Sequence, residues 1–216
     1  MKPSEKTASQ LSIQWLGRVS YEHALALQDS LVAKRRAGAI PDHLLLLEHE
    51  PVYTIGRTPD HASLRGATHL RFPVVETNRG GQATYHGPGQ LIGYPILDLR
   101  NHGQDLHVYL RALEELLIRV CAAFGVAARR RDGLTGTWVI DRKIASIGVG
   151  VRHWISMHGF ALNVGGDLAP FEQITPCGIA GVAMTSLEKE SGRRISVHGA
   201  AIAAGRIFPE CLTGAE

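Results

Sequence analysis

The chain has 216 residues, 44% of them hydrophobic and 20% charged, with a formal net charge of +3. This composition suits a globular protein with one sizeable core and excludes the disordered, collagen-like and low-complexity classes. The opening MKPSEKTASQ has no apolar stretch behind it, and no run approaches the roughly 20 apolar residues of a membrane span, so a cytoplasmic location is expected. Cys121, Cys177 and Cys211 are too far apart for a disulfide framework or a metal knuckle.

Ser20 precedes an apolar stripe at Tyr21, Ala24, Leu25, Gln28, Leu31 and Val32, which predicts a capped helix over 21–37. The runs 43–48, 52–56 and 72–77 predict short strands, and RTPDHASLRG between the last two predicts a surface loop. The run 91–99 is apolar but contains Pro95, pointing to an edge strand or a strand end. Asp105 opens a second helix closed by Gly125, whose apolar period includes Cys121 and gives that thiol a core role. TGTWVI (135–140), KIASIGVGVR (143–152) and MHGFALNV (157–164) read as an antiparallel meander. A last helix from Val197 to about Phe208 leaves Cys211 beyond it. Strands in runs with helices between them predict an α+β sandwich.

Clusters at Lys34-Arg35-Arg36 and Arg129-Arg130-Arg131 read as solvated faces or as docking patches for an acidic protein or nucleic acid. Lysine is scarce, with five in the chain, so Lys143 inside a structured segment stands out.

NRGGQATYHGPGQ (78–90) is the richest stretch in glycine. It fits neither the dinucleotide fingerprint nor a phosphate-binding loop: Gly87, Gly89 and Gly93 are spaced one residue too widely, and G-K-[ST] is absent. Among the histidines, none forms H-E-x-x-H. The glycines at 80–81 and 87–89 allow either two tight turns or a bare backbone against which an elongated ligand lies.

ITPCGIAG (174–181) places Cys177 between proline and glycine with no helical or strand period, the setting of an exposed nucleophile. Gly178 is expected to clear space beside the sulfur and to leave its N–H free for an oxyanion. Lys143 is a candidate partner, and His86 or His158 is an alternative base.

LEHEPVYTIGR, RGGQATYHGPGQLIGYPILDL, GTWVIDRKIASIGVGVRHWISMHGFALNV and ITPCGI together resemble the lipoyl(octanoyl) transferases in order and spacing, from about Ile13 to about Leu212. The resemblance implies the catalytic-domain fold of biotin/lipoyl protein ligases, an α/β type of mixed, largely antiparallel sheet with helices. It implies a single catalytic domain at 13–212 behind a polar segment at 1–12. The implied reaction moves an octanoyl group from octanoyl-acyl carrier protein to a lysine of lipoyl domains, in lipoate biosynthesis, without ATP, metal or other cofactor. The acceptors implied are the lipoyl domains of 2-oxoacid dehydrogenase complexes and the glycine cleavage H protein. Neither nucleic acid nor membrane is expected as a partner, and a monomer is expected.

On that pattern Cys177 is the nucleophile that becomes the acyl-thioester, and Lys143 lowers its pKa. The substrate wall falls on Arg79, Gly80, Gly81, Gln82, Ala83, Thr84, Tyr85 and His86, on Ser146, Ile147 and Gly148, and on Gly159, Phe160 and Ala161. Whether His49, His86 or His158 assists proton transfer is left open. Two other readings share parts of this pattern: an ATP-dependent lipoate or biotin ligase, and a module that only binds acyl groups.

Overall fold

The computed structural model describes residues 11–57, 61–64, 70–178 and 181–213, with the side chains of His61, Ala62, Cys177 and Thr213 outside that description. The elements in chain order are β1 (Ser12–Val19), α1 (Tyr21–Arg36), β2 (His43–His49), β3 (Val52–Ile55), β4 (Val74–Glu76), β5 (Thr84–His86) and β6 (Gln90–Ile96). They continue with α2 (Leu106–Ala123), β7 (Arg129–Arg131), β8 (Leu134–Val139), β9 (Arg142–Arg152), β10 (Ile155–Asn163), β11 (Ala183–Met184), α3 (Leu187–Ser191) and α4 (Val197–Thr213).

The larger sheet runs β1-β2-β6-β10-β9-β8-β7, with β11 added beside β9, and a smaller sheet runs β4-β3-β5. Pairing in the larger sheet is antiparallel except for β1 with β2 and β11 with β9. The apolar run of β2 is continuous because both of its faces are covered. Leu44 and Leu46 enter the core under α2 and α4, while Leu45 and Leu47 enter the core under α1. This is the expected α+β arrangement, with helices on both faces of a largely antiparallel sheet.

The helix caps follow the sequence. Ser20 accepts from the His23 N–H at 3.2 Å, and Asp105 accepts from the N–H groups of His107 and Val108 at 2.7 and 3.2 Å. Cys121 is fully buried, and burial pushes its thiol up to about 12.

Several expectations change. β6 is an interior strand, and only the strand-end reading of Pro95 survives. Pro95 pairs with Leu44 of β2, while pairing with β10 stops at Gly93, so its missing N–H interrupts no ladder bond there. β1 was not anticipated: Ile13 and Trp15 are exposed and its pairing with β2 shifts register between Trp15 and Arg18, so no apolar period marks it. α4 runs through Pro209 to Thr213, so Cys211 lies inside the helix, buried, 3.8 Å from Arg119 Nη1.

Three of the six clustered basic residues, Arg35, Arg130 and Arg131, meet carboxylates within the chain. Arg35 is 9% exposed and bonds Asp42 at 2.7 Å. Arg130 meets Glu114 and Glu115 at 3.2 and 2.8 Å, and Arg131 lies 3.6 Å from Asp141. The expected surface loop at 57–66 falls partly outside the described residues. Its described part contains a 3-10 turn, His61–Leu64, in which Ser63 is buried. The N-terminal ten residues also lie outside the description. Among the described residues no helix is long and apolar enough to cross a membrane.

Candidate active site

A cavity of about 460 Å³ opens between the 79–82 loop, the middle of β9 and β10, and the start of α2. Its size lies within the usual range of small-molecule sites, about 300–1,000 Å³. Of the expected substrate wall, Arg79, Gly80, Gly81, Gln82, Thr84, His86, Ser146, Ile147, Gly148, Gly159, Phe160 and Ala161 line it, together with Lys143.

Ala83 and Tyr85 do not line it. The strand period puts Thr84 and His86 on the cavity face of β5 and turns Ala83 and Tyr85 to the opposite face. There they pack with Tyr53, Phe171 and Ile174 in the core of the small sheet.

The bare backbone serves a crossing of chains as well as a cavity wall. Gly80 N–H donates to Val149 O at 2.8 Å, and a Cβ at Gly148 would lie 3.0 Å from Gly80 O. The loop therefore rests directly on β9. Gly87 and Gly89 do not line the cavity: a Cβ at Gly87 would collide with the Tyr85 ring, and one at Gly89 would lie 2.7 Å from Gly165 O. Arg79 holds the loop's shape by donating to Thr54 O, Gln82 O and Gly80 O at 2.8, 2.8 and 3.0 Å.

Lys143 is the second residue of β9, pairs with Trp138 of β8, and is 1% exposed. Its Nζ donates to Thr135 O at 3.1 Å and lies 5.3 Å from the Trp138 ring centroid, a cation–π distance. A buried ammonium on the cavity surface is thus held by a carbonyl and an aromatic face.

Cys177 occupies a 3-10 turn, Pro176–Gly178. This turn abuts the cavity wall, because Gly178 lies against the carboxamide of Gln82, and a Cβ there would collide with it. Two backbone bonds anchor the turn: Thr175 N–H to Ser63 O at 2.7 Å and Gly178 N–H to Thr175 O at 3.0 Å. The second corrects the expectation that the Gly178 N–H is free for an oxyanion; the tight turn uses it. Ser63 is the residue that sequence reasoning missed. Its Oγ also accepts from Ala83 N–H at 3.3 Å, so it joins the cysteine turn to the start of β5.

His86 and His158 line the cavity with Tyr21 and Tyr94, and His49 lies against them, its Nε2 2.7 Å from the Tyr94 hydroxyl and its ring 5.8 Å from that of His86. Burial lowers the pKa of His49 and His158 to about 4 and drives His86 well below its usual value, with His49 and Arg79 adding to the effect on His86. All three are neutral near pH 7. His86 Nδ1 faces Gln90 Oε1 at 2.7 Å, and Gln90 Nε2 donates to Asn163 Oδ1 at 2.9 Å. A carboxamide oxygen only accepts, so His86 carries its proton on Nδ1. Thr54 Oγ1, 3.4 Å from His86 Nε2, receives Arg79 Nη2 at 2.7 Å. His86 is thus a fixed neutral link in a hydrogen-bonded chain. Among the described residues no group of three or more His, Cys, Asp or Glu side chains is placed to hold a metal ion.

The fold is shared with ligases that attach lipoate or biotin. The putative lipoate protein ligase Ta0514 of T. acidophilum superposes with a TM-score of 0.71 at 16% identity, over 93% of this chain and 84% of that one. The biotin protein ligase of Aquifex aeolicus gives 0.54 at 12% identity, over 93% and 68%. The profile described as "Lipoyl protein ligase A/B catalytic domain" matches residues 20–204, and the chain belongs to that family. Among relatives, the octanoyltransferase of Geobacter metallireducens is 56% identical over 86% of this chain and 85% of its own length. That of Rubrobacter xylanophilus is 52% identical over 85% of each. By class the chain is an acyltransferase.

Proposed function

We propose that the chain transfers an octanoyl group from octanoyl-acyl carrier protein to a lysine of lipoyl domains, through a thioester on Cys177, in lipoate biosynthesis. The observation that carries this reading is the meeting of the Cys177 turn, through Gln82, with a cavity that also holds the buried Lys143 ammonium. The names of the relatives supply the acyl group.

Lys143 promotes the thiolate of Cys177, which attacks the donor thioester and releases the carrier thiol. The acceptor lysine then attacks the acyl-enzyme, and its amine proton leaves for the sulfur as the amide forms. Thioester exchange is nearly balanced and amide formation runs downhill, so the sequence of steps requires no ATP. The cavity takes the acyl chain, whose burial contributes about 0.8 kcal/mol per CH₂. Arg79 and the glycine-rich loop hold the shape of the slot, and the neutral His86 and His158 form part of its wall. The acting unit spans 13–212 and works in the cytoplasm as a monomer, on lipoyl domains of 2-oxoacid dehydrogenase complexes and on the glycine cleavage H protein.

Intact-protein mass spectrometry after mixing with octanoyl carrier protein, without ATP, tests the reading. An octanoyl adduct on the wild type, absent from Cys177→Ala and discharged by a lipoyl domain, is expected. No adduct, with transfer appearing only when ATP and free octanoate are supplied, would replace it with an adenylating ligase.

A further inference from the structure

The cavity runs across the strands of the larger sheet, and its two ends differ. Lys143 Nζ reaches Thr135 O on β8, where Gly133 and Thr135 are exposed lining residues. Tyr94 lines the cavity from β6, three strands away in the order β6-β10-β9-β8, and is buried, as is Tyr21. Three strand spacings amount to about 14 Å, a span that an extended octanoyl thioester fills.

The two strands between leave a path. Register pairs Ser146 with Ala161 and Gly148 with Gly159, so these four small residues share one face of β9 and β10, and all four line the cavity. Gly93 of β6 pairs with Phe160, so Tyr94 turns to the face of Gly159 and Ala161, and it packs with Ala161 in the core under α1. The Tyr94 ring is also held in place. His49 Nδ1 lies 3.1 Å from Val19 O, and a carbonyl only accepts, so the neutral His49 carries its proton there. Its Nε2 therefore accepts from the Tyr94 O–H at 2.7 Å. His49 stands behind Tyr94, outside the cavity lining, and bears on the cavity through that ring.

We propose that the Tyr94 ring, anchored by His49, ends the slot and selects the length of the acyl chain, a role that rests on the proposed acyl-transfer reading. The acyl carbonyl lies at the Lys143 end, and the terminal methyl meets Tyr94. A longer chain meets a ring that yields only by breaking a buried hydrogen bond. Tyr94 is then a specificity-determining residue and His49 a positioning residue. One methylene in an apolar pocket discriminates by about 10–200-fold, so such an end separates octanoyl from decanoyl chains.

The test reads the ratio of acylation rates with decanoyl and octanoyl carrier protein, by intact-protein mass spectrometry, in the wild type, Tyr94→Leu and Tyr94→Phe. Tyr94→Leu clears the end of the slot and is expected to raise the ratio about 10-fold or more. Tyr94→Phe keeps the ring, cuts its bond to His49 and disturbs the fold least; it is expected to raise the ratio several-fold. Equal loss of both rates in Tyr94→Leu would show a structural residue and overturn the proposal. An unchanged ratio in folded Tyr94→Phe would overturn it too, whether or not Tyr94→Leu folds, as would a wild type that takes both chains equally well. A wild type that forms no acyl-enzyme would overturn the thioester reading. The ratio of decanoate to octanoate affinity, measured by titration calorimetry on the same three proteins, would then decide the role of Tyr94 by the same criteria.

Discussion

Gly136 leaves open the space through which the Lys143 side chain passes: a Cβ at Gly136 would lie 2.8 Å from Lys143 Cε and 2.6 Å from Ala145 O. Its φ of +119° is a conformation that side chains rarely adopt. Gly136→Ala is therefore expected to destabilise by roughly 1–3 kcal/mol through strain and to shift the ammonium from Thr135 O. Thermal melting and the acyl-enzyme formation rate at a temperature where the variant is folded would check this. A normal rate in the folded variant would mean that the position of Lys143 is not critical.

Lys143→Met separates the charge from the stem, because methionine fills similar space against Trp138. The fold is expected to survive, while acyl-enzyme formation at pH 7 falls more than about 10²-fold, in line with loss of a group that activates a nucleophile. As pH rises past the ordinary thiol value of about 8.5, Cys177 should ionise unaided and part of the rate should return. A pH profile parallel to that of the wild type would remove Lys143 from the activation of Cys177.

The elements with a strong period were legible in the chain. α1 and α2 start at Ser20 and Asp105 as their caps indicate, and the 135–164 meander follows its apolar and β-branched runs. β1 was not legible, because an edge strand with exposed Ile13 and Trp15 has little to distinguish it from a loop. The cavity face of the glycine segment was legible only as a block. Alternation along β5, which divides Thr84 and His86 from Ala83 and Tyr85, depends on which core claims the tyrosine, and that is set by distant Phe171 and Ile174. Ser63 was invisible because its bonds to Ala83 and Thr175 reach across 20 and 112 residues of an otherwise featureless loop.

Buried neutral histidines give stability a definite pH dependence. His49 and His158 have folded values near 4 against 6.5 as ordinary histidines, and His86 is also depressed. Between pH 6.5 and 4 the unfolded chain binds more protons than the folded one, so stability is full above about 6.5 and falls as pH drops through that window. Between pH 6.5 and 5 the loss is on the order of 2 kcal/mol for each of His49 and His158. Urea midpoints at pH 7.5 and 5.0 would measure it. The carboxyls of Asp42, Asp98 and Glu190 are held below their ordinary values and act only at lower pH. Equal midpoints at the two pH values would contradict the burial of these rings.

Arg35 is basic without being available to a partner. Its Nε donates to Asp42 Oδ1 at 2.7 Å, Asp42 Oδ1 also receives Asp98 N–H at 2.9 Å, and Asp42 Oδ2 meets His102 Nε2 at 2.8 Å. The cluster ties the C-terminal end of α1 to the start of β2 and the segment after β6, and none of its members lines the cavity. Removing one member of a buried pair typically costs about 3–5 kcal/mol, mostly from the charge left behind. Asp42→Asn should therefore lower the urea midpoint strongly while leaving acyl transfer per folded molecule unchanged. Arg35→Gln should do the same, with no change in the salt dependence of reaction with the proposed carrier-protein donor. If Arg35→Gln instead left stability intact and slowed association at low salt, Arg35 would belong to a docking surface and its burial against Asp42 would be wrong.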